Sequence, residues 1–197
     1  MVELTDLWLP ILIASFAVFV ASSLMWMVLP HHKADVQVLP DEKALTGALG
    51  PLGIPPGFYM FPNCQSHGDT KSEEFQGRWK AGPWGTINIY PGQPKFGMNL
   101  LKTLIVFLVI SGLVAYLSGR ALPAGTEAAG VFQFALIAAI LGHCTGGLVG
   151  SFFMGKPTRF VMTDFIDGVV YALITAAVFA WMWPAVAGVD MPVPTIN

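Results

Sequence analysis

The side chains able to do chemistry in this 197-residue chain fall in three places. His143 and Cys144 lie inside residues 129–155, a run with no Asp, Glu, Lys or Arg. An ionisable group at membrane depth is costly to bury, which makes His143 a candidate cofactor ligand. Its imidazole could ligate a metal, a haem or the magnesium of a chlorophyll, or bond a quinone oxygen. The plainer reading is a neutral ring hydrogen-bonded to a Ser, Thr or carbonyl on a neighbouring helix. Cys144 reads as a small packing residue, because buried thiols are usually inert.

The second place joins two distant stretches. His31, His32 and Asp35 follow the first apolar run, while Lys156, Arg159, Asp164 and Asp167 flank the start of the last. All seven are expected at one membrane surface, as a docking or headgroup-binding site. The plainer account puts Asp164 and Asp167 in a helix first turn, where carboxylates complement the dipole and cap free N–H groups. Lys156 and Arg159 then set topology and pair with them.

The third place is Cys64 with His67, a lone C-x-x-H. A structural zinc site needs four ligands, commonly two such pairs, and the loop has no second pair. Met25 and Met27 beside Trp26 read as gap-filling apolar side chains, since two thioethers alone make a poor soft-metal site. No metal site is therefore expected. No catalytic residue is assigned either: G-x-G-x-x-G, G-x-S-x-G and H-E-x-x-H do not occur. Gly150 to Lys156 has the spacing of a phosphate loop, but Pro157 stands where Ser or Thr belongs.

The elements that must position these groups follow from composition. The chain is 54% hydrophobic and 11% charged, with mean hydropathy +0.63, far more apolar than a soluble domain. A net charge of -2 gives no general attraction to nucleic acid. Four runs approach or exceed the roughly 20 apolar residues a bilayer crossing needs: 7–29, 100–119, 129–155 and 165–184. The expected fold class is an all-α membrane protein of four transmembrane helices, with a small cytoplasmic α+β insertion (30–98) between helices 1 and 2. The N-terminal stretch is acidic where a secretory signal needs basic residues, so the first run is expected to stay as an anchor. Trp8, Trp26, Trp181 and Trp183 suit the water interfaces.

Within the insertion, 41–49 and 72–80 read as short helices, and 57–61 and 84–90 as strands bounded by proline and glycine. Cys64 and Cys144 belong to different environments, so no disulfide is expected. The residues after Val189 read as a short extended tail. In the third run Gly142, Gly146, Gly147 and Gly150 share one helix side, the spacing that lets membrane helices approach closely. Lys33, Lys95, Lys102, Lys156 and Arg159 crowd one side of the four spans and Arg120 alone marks the other. By the positive-inside rule the insertion is cytoplasmic and both termini are periplasmic.

Several stretches form a pattern: 30–35 (PHHKAD), 39–42 (LPDE), 55–62 (PPGFYMFP) and 155–157 (GKP). Spread over nearly the whole chain, this pattern resembles a group of small bacterial inner-membrane proteins of unassigned function. The resemblance implies the fold and a bacterial cytoplasmic-membrane location, and no catalytic residues. It also implies that the surface motif, not the bilayer interior, is what such proteins share.

Three functions are compatible with these features. The first is a non-catalytic accessory or structural subunit of a larger bacterial membrane complex, of respiratory or photosynthetic type, packing through the glycine-rich helix and docking through the insertion. Its partners would be the lipid bilayer and other membrane subunits. The second is a redox protein binding a cofactor or quinone at His143; no feature identifies the cofactor. The third is a small oligomeric transporter with Asp167 and His143 along its path.

Overall fold

A computed structural model describes residues 1–186; the tail expected after Val189 lies outside the described residues. Four helical segments are long and apolar enough to cross a membrane, and a two-stranded sheet is set between the first and second. The first segment is α1 (Trp8–Met27), led in by a 3-10 turn at Leu4–Leu7. Pro10 sits at its start, where a missing N–H costs little.

Between the first two spans come α2 (Glu42–Leu49), β1 (Gly57–Phe61), α3 (Glu73–Ala81) and β2 (Gly85–Ile89). Asp41 and Ser72 cap α2 and α3, each side chain accepting a backbone N–H three residues on. β1 and β2 pair antiparallel, with Tyr59 opposite Ile87. Phe75 and Trp79, one turn apart on α3, stack with ring centroids 5.8 Å apart. These elements have little core of their own: Phe75 is their buried hydrophobic side chain, while Phe58, Trp79 and Trp84 stay exposed.

The second span is α4 (Phe96–Ala121). The third is not one regular helix. It runs as α5 (Ala128–Ile140), a π-helical turn at Leu141–Thr145, then α6 (Leu148–Phe153). The fourth is α7 (Thr158–Trp181). It starts about two turns earlier than the apolar run at 165–184, because Pro157 opens it and Thr158, Arg159, Thr163 and Asp164 interrupt the apolar pattern without breaking a helix. Asp167 therefore lies well inside α7 and not in a first turn, so the dipole-capping account of it does not apply.

The helices close in a ring: α1 packs on α4 and α7, and α5 packs on α4 and α7. Small side chains fill the centre, with Ala14, Ala115, Ala135, Ala139, Ala172 and Ala176 fully buried around Phe179 and Val131. Alanine at facing positions lets backbones come close, which favours helix association where lipid removes the hydrophobic drive. A close helix crossing lies at Gly168 of α7. A Cβ there would stand 2.8 Å from the His143 carbonyl oxygen and 2.9 Å from Cys144 Sγ. Only glycine fits, and this crossing fixes the π turn against α7 one residue from Asp167.

Candidate functional site

Asp167 is the centre of a polar cluster at the end of the bundle where α1 leaves and α7 begins. Leu29 ends the first span's extension, and Pro30 starts a 3-10 turn, Pro30–His32, which swings both adjacent histidines toward α7. His31 Nε2 lies 3.0 Å from Asp167 Oδ1, and His32 Nε2 lies 2.8 Å from Oδ2 of the same carboxylate. The Tyr171 hydroxyl, one helical turn on, donates to Oδ2 at 3.2 Å. His32 Nδ1 meets Asp35 Oδ2 at 2.9 Å. Asp35 is in turn held by Arg159 Nε at 3.1 Å, and Arg159 also donates to the His31 carbonyl at 3.0 Å. Thr163 Oγ1 lies 3.5 Å from Asp35 Oδ1.

This cluster is shielded although it sits at a helix end. The Asp35 and Asp167 side chains are 0% and 3% exposed and His32 is 6% exposed, so the carboxylates depend on protein partners for their solvation. Trp26 covers His32, ring on ring, at 3.8 Å and 15° between planes. An ionised carboxylate only accepts hydrogen bonds, and His32 stands between two of them. Burial pulls the His32 pKa down, but hydrogen bonds to Asp167 and Asp35, and then their charges, outweigh it and leave it above the ordinary 6.5.

Of the seven surface residues singled out in the sequence, five meet here: His31, His32, Asp35, Arg159 and Asp167. Asp164 lines the neighbouring cavity, and Lys156 stands off with its Nζ 4.9 Å over the Phe160 ring. Trp26, Thr163 and Tyr171 are cluster members that residue patterns alone did not flag. Trp26 had an ordinary role as an interface anchor. Tyr171 carried a usable signal, because it lies four residues after Asp167 and therefore on the same face of α7.

His143 lies deeper, on the π turn. Its Nε2 is 3.4 Å from Thr175 Oγ1 of α7, and its ring packs edge-on to Tyr171 with centroids 5.8 Å apart. The Thr175 hydroxyl already donates to the Tyr171 carbonyl at 2.8 Å, so toward His143 it is an acceptor. A cavity of about 210 Å³ separates the two levels, lined by Trp26, His143, Asp164, Asp167 and Tyr171 among others. It has room for a few waters or a small ligand, and is too small for a haem or chlorin ring.

Gly142 packs against Ile110; a Cβ there would stand 2.8 Å from the Ile110 methyl. Gly146, Gly147 and Gly150 meet nothing within 4 Å. Cys64 sits in the loop after β1 with no second Cys–His pair beside it. Among the described residues, His31, His32 and Asp167 are the one group that brings three potential ligand side chains within reach of each other. Comparison with protein-family models, curated proteins and solved structures finds no match, so the site is read on its own chemistry.

Proposed function

We propose that this chain is a non-catalytic subunit of a larger assembly in a bacterial cytoplasmic membrane, bound to other membrane subunits through its third span and through the insertion between spans 1 and 2. The observation that carries this reading is the open glycine face of the third span. A helix facing lipid gains nothing from glycine, which costs about 1 kcal/mol relative to alanine inside a helix. Yet Gly146 and Gly147, in the turn after the π turn, and Gly150 in α6 each border open space, at a sequence spacing that admits a second backbone. The third span is also the least covered of the four, with 17% of its apolar window buried against 44% for the fourth. Val149 and Phe153 stand 80% exposed next to the glycines.

The insertion adds a second surface. Met60 and Phe61 of β1, Trp79 of α3 and Trp84 just before β2 line a cavity of about 280 Å³ whose other wall is Phe153, Met154 and Gly155 at the end of the third span. Aromatic side chains left half-exposed next to the glycine face are what a protein partner covers. Lys33, Lys95, Lys102, Lys156 and Arg159 favour the cytoplasm for this end.

The test is extraction from the native membrane in a mild detergent, with Gly150→Leu beside the wild type. The expected result is a stoichiometric set of co-purifying membrane proteins that the leucine variant loses while its own fold persists. Recovery of the wild type alone would refute the subunit reading.

A further inference from the structure

We propose that His31, His32 and Asp167 form a binding site for a divalent first-row transition-metal ion, held by two imidazole nitrogens and one carboxylate. An ion about 2.1 Å from each donor needs donors about 3.0–3.5 Å apart. His31 Nε2 and Asp167 Oδ1 are 3.0 Å apart, His32 Nε2 and Asp167 Oδ2 are 2.8 Å apart, and all the ligand atoms lie within 4.8 Å of one another. Small side-chain shifts suffice to turn these hydrogen bonds into coordination.

The surroundings are those of a metal ligand set and not of a simple ion pair. A ligating histidine usually gives its other nitrogen to a carboxylate, which fixes the tautomer and aims the ring. His32 does this through Nδ1 to Asp35, and Arg159 holds Asp35 in place. Trp26 fixes the plane of the same ring from above. His31 is held through its backbone carbonyl by Arg159. Two shielded carboxylates face one arginine here, so the cluster has one negative charge to spare for a cation when both histidines are neutral.

Ligand chemistry narrows the ion. Imidazole suits zinc, iron, nickel and copper, whereas calcium and magnesium want oxygen ligands. Three protein ligands leave a further position open, and the cavity beside Asp167 and Tyr171 has room for a water there. Entry is from the other side: a surface cavity of about 500 Å³ lined by Leu29, Pro30, His31, Arg159 and Thr163 opens onto His31, whose side chain is 30% exposed.

The experiment uses the full chain in detergent, purified on a tag without histidine and stripped with chelator. Zn²⁺ affinity is measured by competition with a chromophoric chelator, and Co²⁺ is added as a spectroscopic probe. The expected result is one Zn²⁺ per chain, a visible Co²⁺ ligand-field spectrum that Zn²⁺ abolishes, and no competition from Ca²⁺ or Mg²⁺. Asp167→Asn and His31→Ala should each weaken Zn²⁺ by at least about tenfold, and Asp35→Asn by about 10–100-fold through loss of the histidine's support. His67→Ala and Cys64→Ser should leave binding unchanged. His31 is partly exposed, so His31→Ala decides the matter if Asp167→Asn does not fold. Wild-type binding no tighter than that of His31→Ala, or binding lost with Cys64→Ser, overturns the proposal.

Discussion

Replacing Asp167 by Asn in metal-free protein is expected to destabilise the junction between the 30–35 turn and α7 by about 2–4 kcal/mol. The figure follows from the contacts. Asp167 accepts from His31, His32 and Tyr171, through Oδ1 in the first case and Oδ2 in the other two. Asparagine keeps one acceptor oxygen and turns an NH2 toward the remaining partner. One charge-assisted hydrogen bond, worth about 1.5–3 kcal/mol, is lost, and a donor is left facing a donor. His31 is partly exposed and can turn to water, which holds the total toward the lower end; His32, under Trp26, cannot. Hydrogen bonds between membrane helices average only about 0.6 kcal/mol, because the loosened state also finds partners. A charged, shielded centre should exceed that average severalfold. The assay is SDS titration in mixed micelles followed by circular dichroism, with amide exchange at residues 30–35 as the local readout. A loss below about 0.5 kcal/mol, the size of an ordinary surface change, would refute the argument that this carboxylate ties the turn to the bundle.

Other changes give separate tests. In the isolated chain Gly168→Ala should cost about 1–3 kcal/mol, because the methyl meets the His143 carbonyl and Cys144 Sγ at 2.8 and 2.9 Å. Gly146→Ala, at helical φ -60° and ψ -28° with open space around it, should stabilise the same chain by up to about 1 kcal/mol; thermal unfolding in one detergent compares the two. In chelator, the contribution of His32 should be complete below the ordinary imidazole pKa of 6.5 and fade as pH rises through the higher folded value. The groups facing His32 are Asp35, Asp167, His31 and the more distant Asp164, with Arg159 behind Asp35. A pH scan of unfolding that shows greater stability on the alkaline side would contradict this sign. Ser118→Ala removes a buried hydroxyl that has no hydrogen-bond partner among the described residues, so it should be neutral or stabilising by the same unfolding assay.

The four long apolar helices were legible because a bilayer-length apolar run has few other uses, and the short capped helices between the first two because Asp41 and Ser72 are standard helix openers. The start of α7 was not legible. Hydropathy marks where a helix becomes continuously apolar, not where it begins, and the seven residues 158–164, four of them polar or charged, separate the two here. That displacement hid the role of Asp167, which looks like a capping residue at 165 and like an internal carboxylate once the helix starts at Thr158. The cluster around it depends on pairing across more than 130 positions, and no local spacing encodes that His31 and His32 face one carboxylate. The glycine positions were visible, but not which of them meet the chain itself. Gly142 does; Gly146, Gly147 and Gly150 do not; and the crossing of α7 with the π turn uses Gly168, which stands outside any glycine run.

These last two observations bear on each other. Gly168 brings α7 against the π turn, and Asp167 is its neighbour in sequence, so the crossing that places His143 also sets the height of the carboxylate under His31 and His32. The third span changes its packing at this pivot, since α5 packs along α7 while α6, which carries Gly150 just after the open turn glycines Gly146 and Gly147, touches little besides α7 and the π turn. A partner helix seated on Gly146 and Gly150 would press on the span just beyond that pivot. The π turn, with its looser hydrogen-bonding, is where such a load is most easily absorbed. Occupancy of the polar cluster and association through the third span, as proposed, would then be linked through one crossing. The expectation that separates linkage from coincidence is reciprocal: Zn²⁺ should shift partner binding by the same factor by which the partner shifts Zn²⁺ affinity. Equal Zn²⁺ affinity in the assembled and the isolated chain would leave the two surfaces independent.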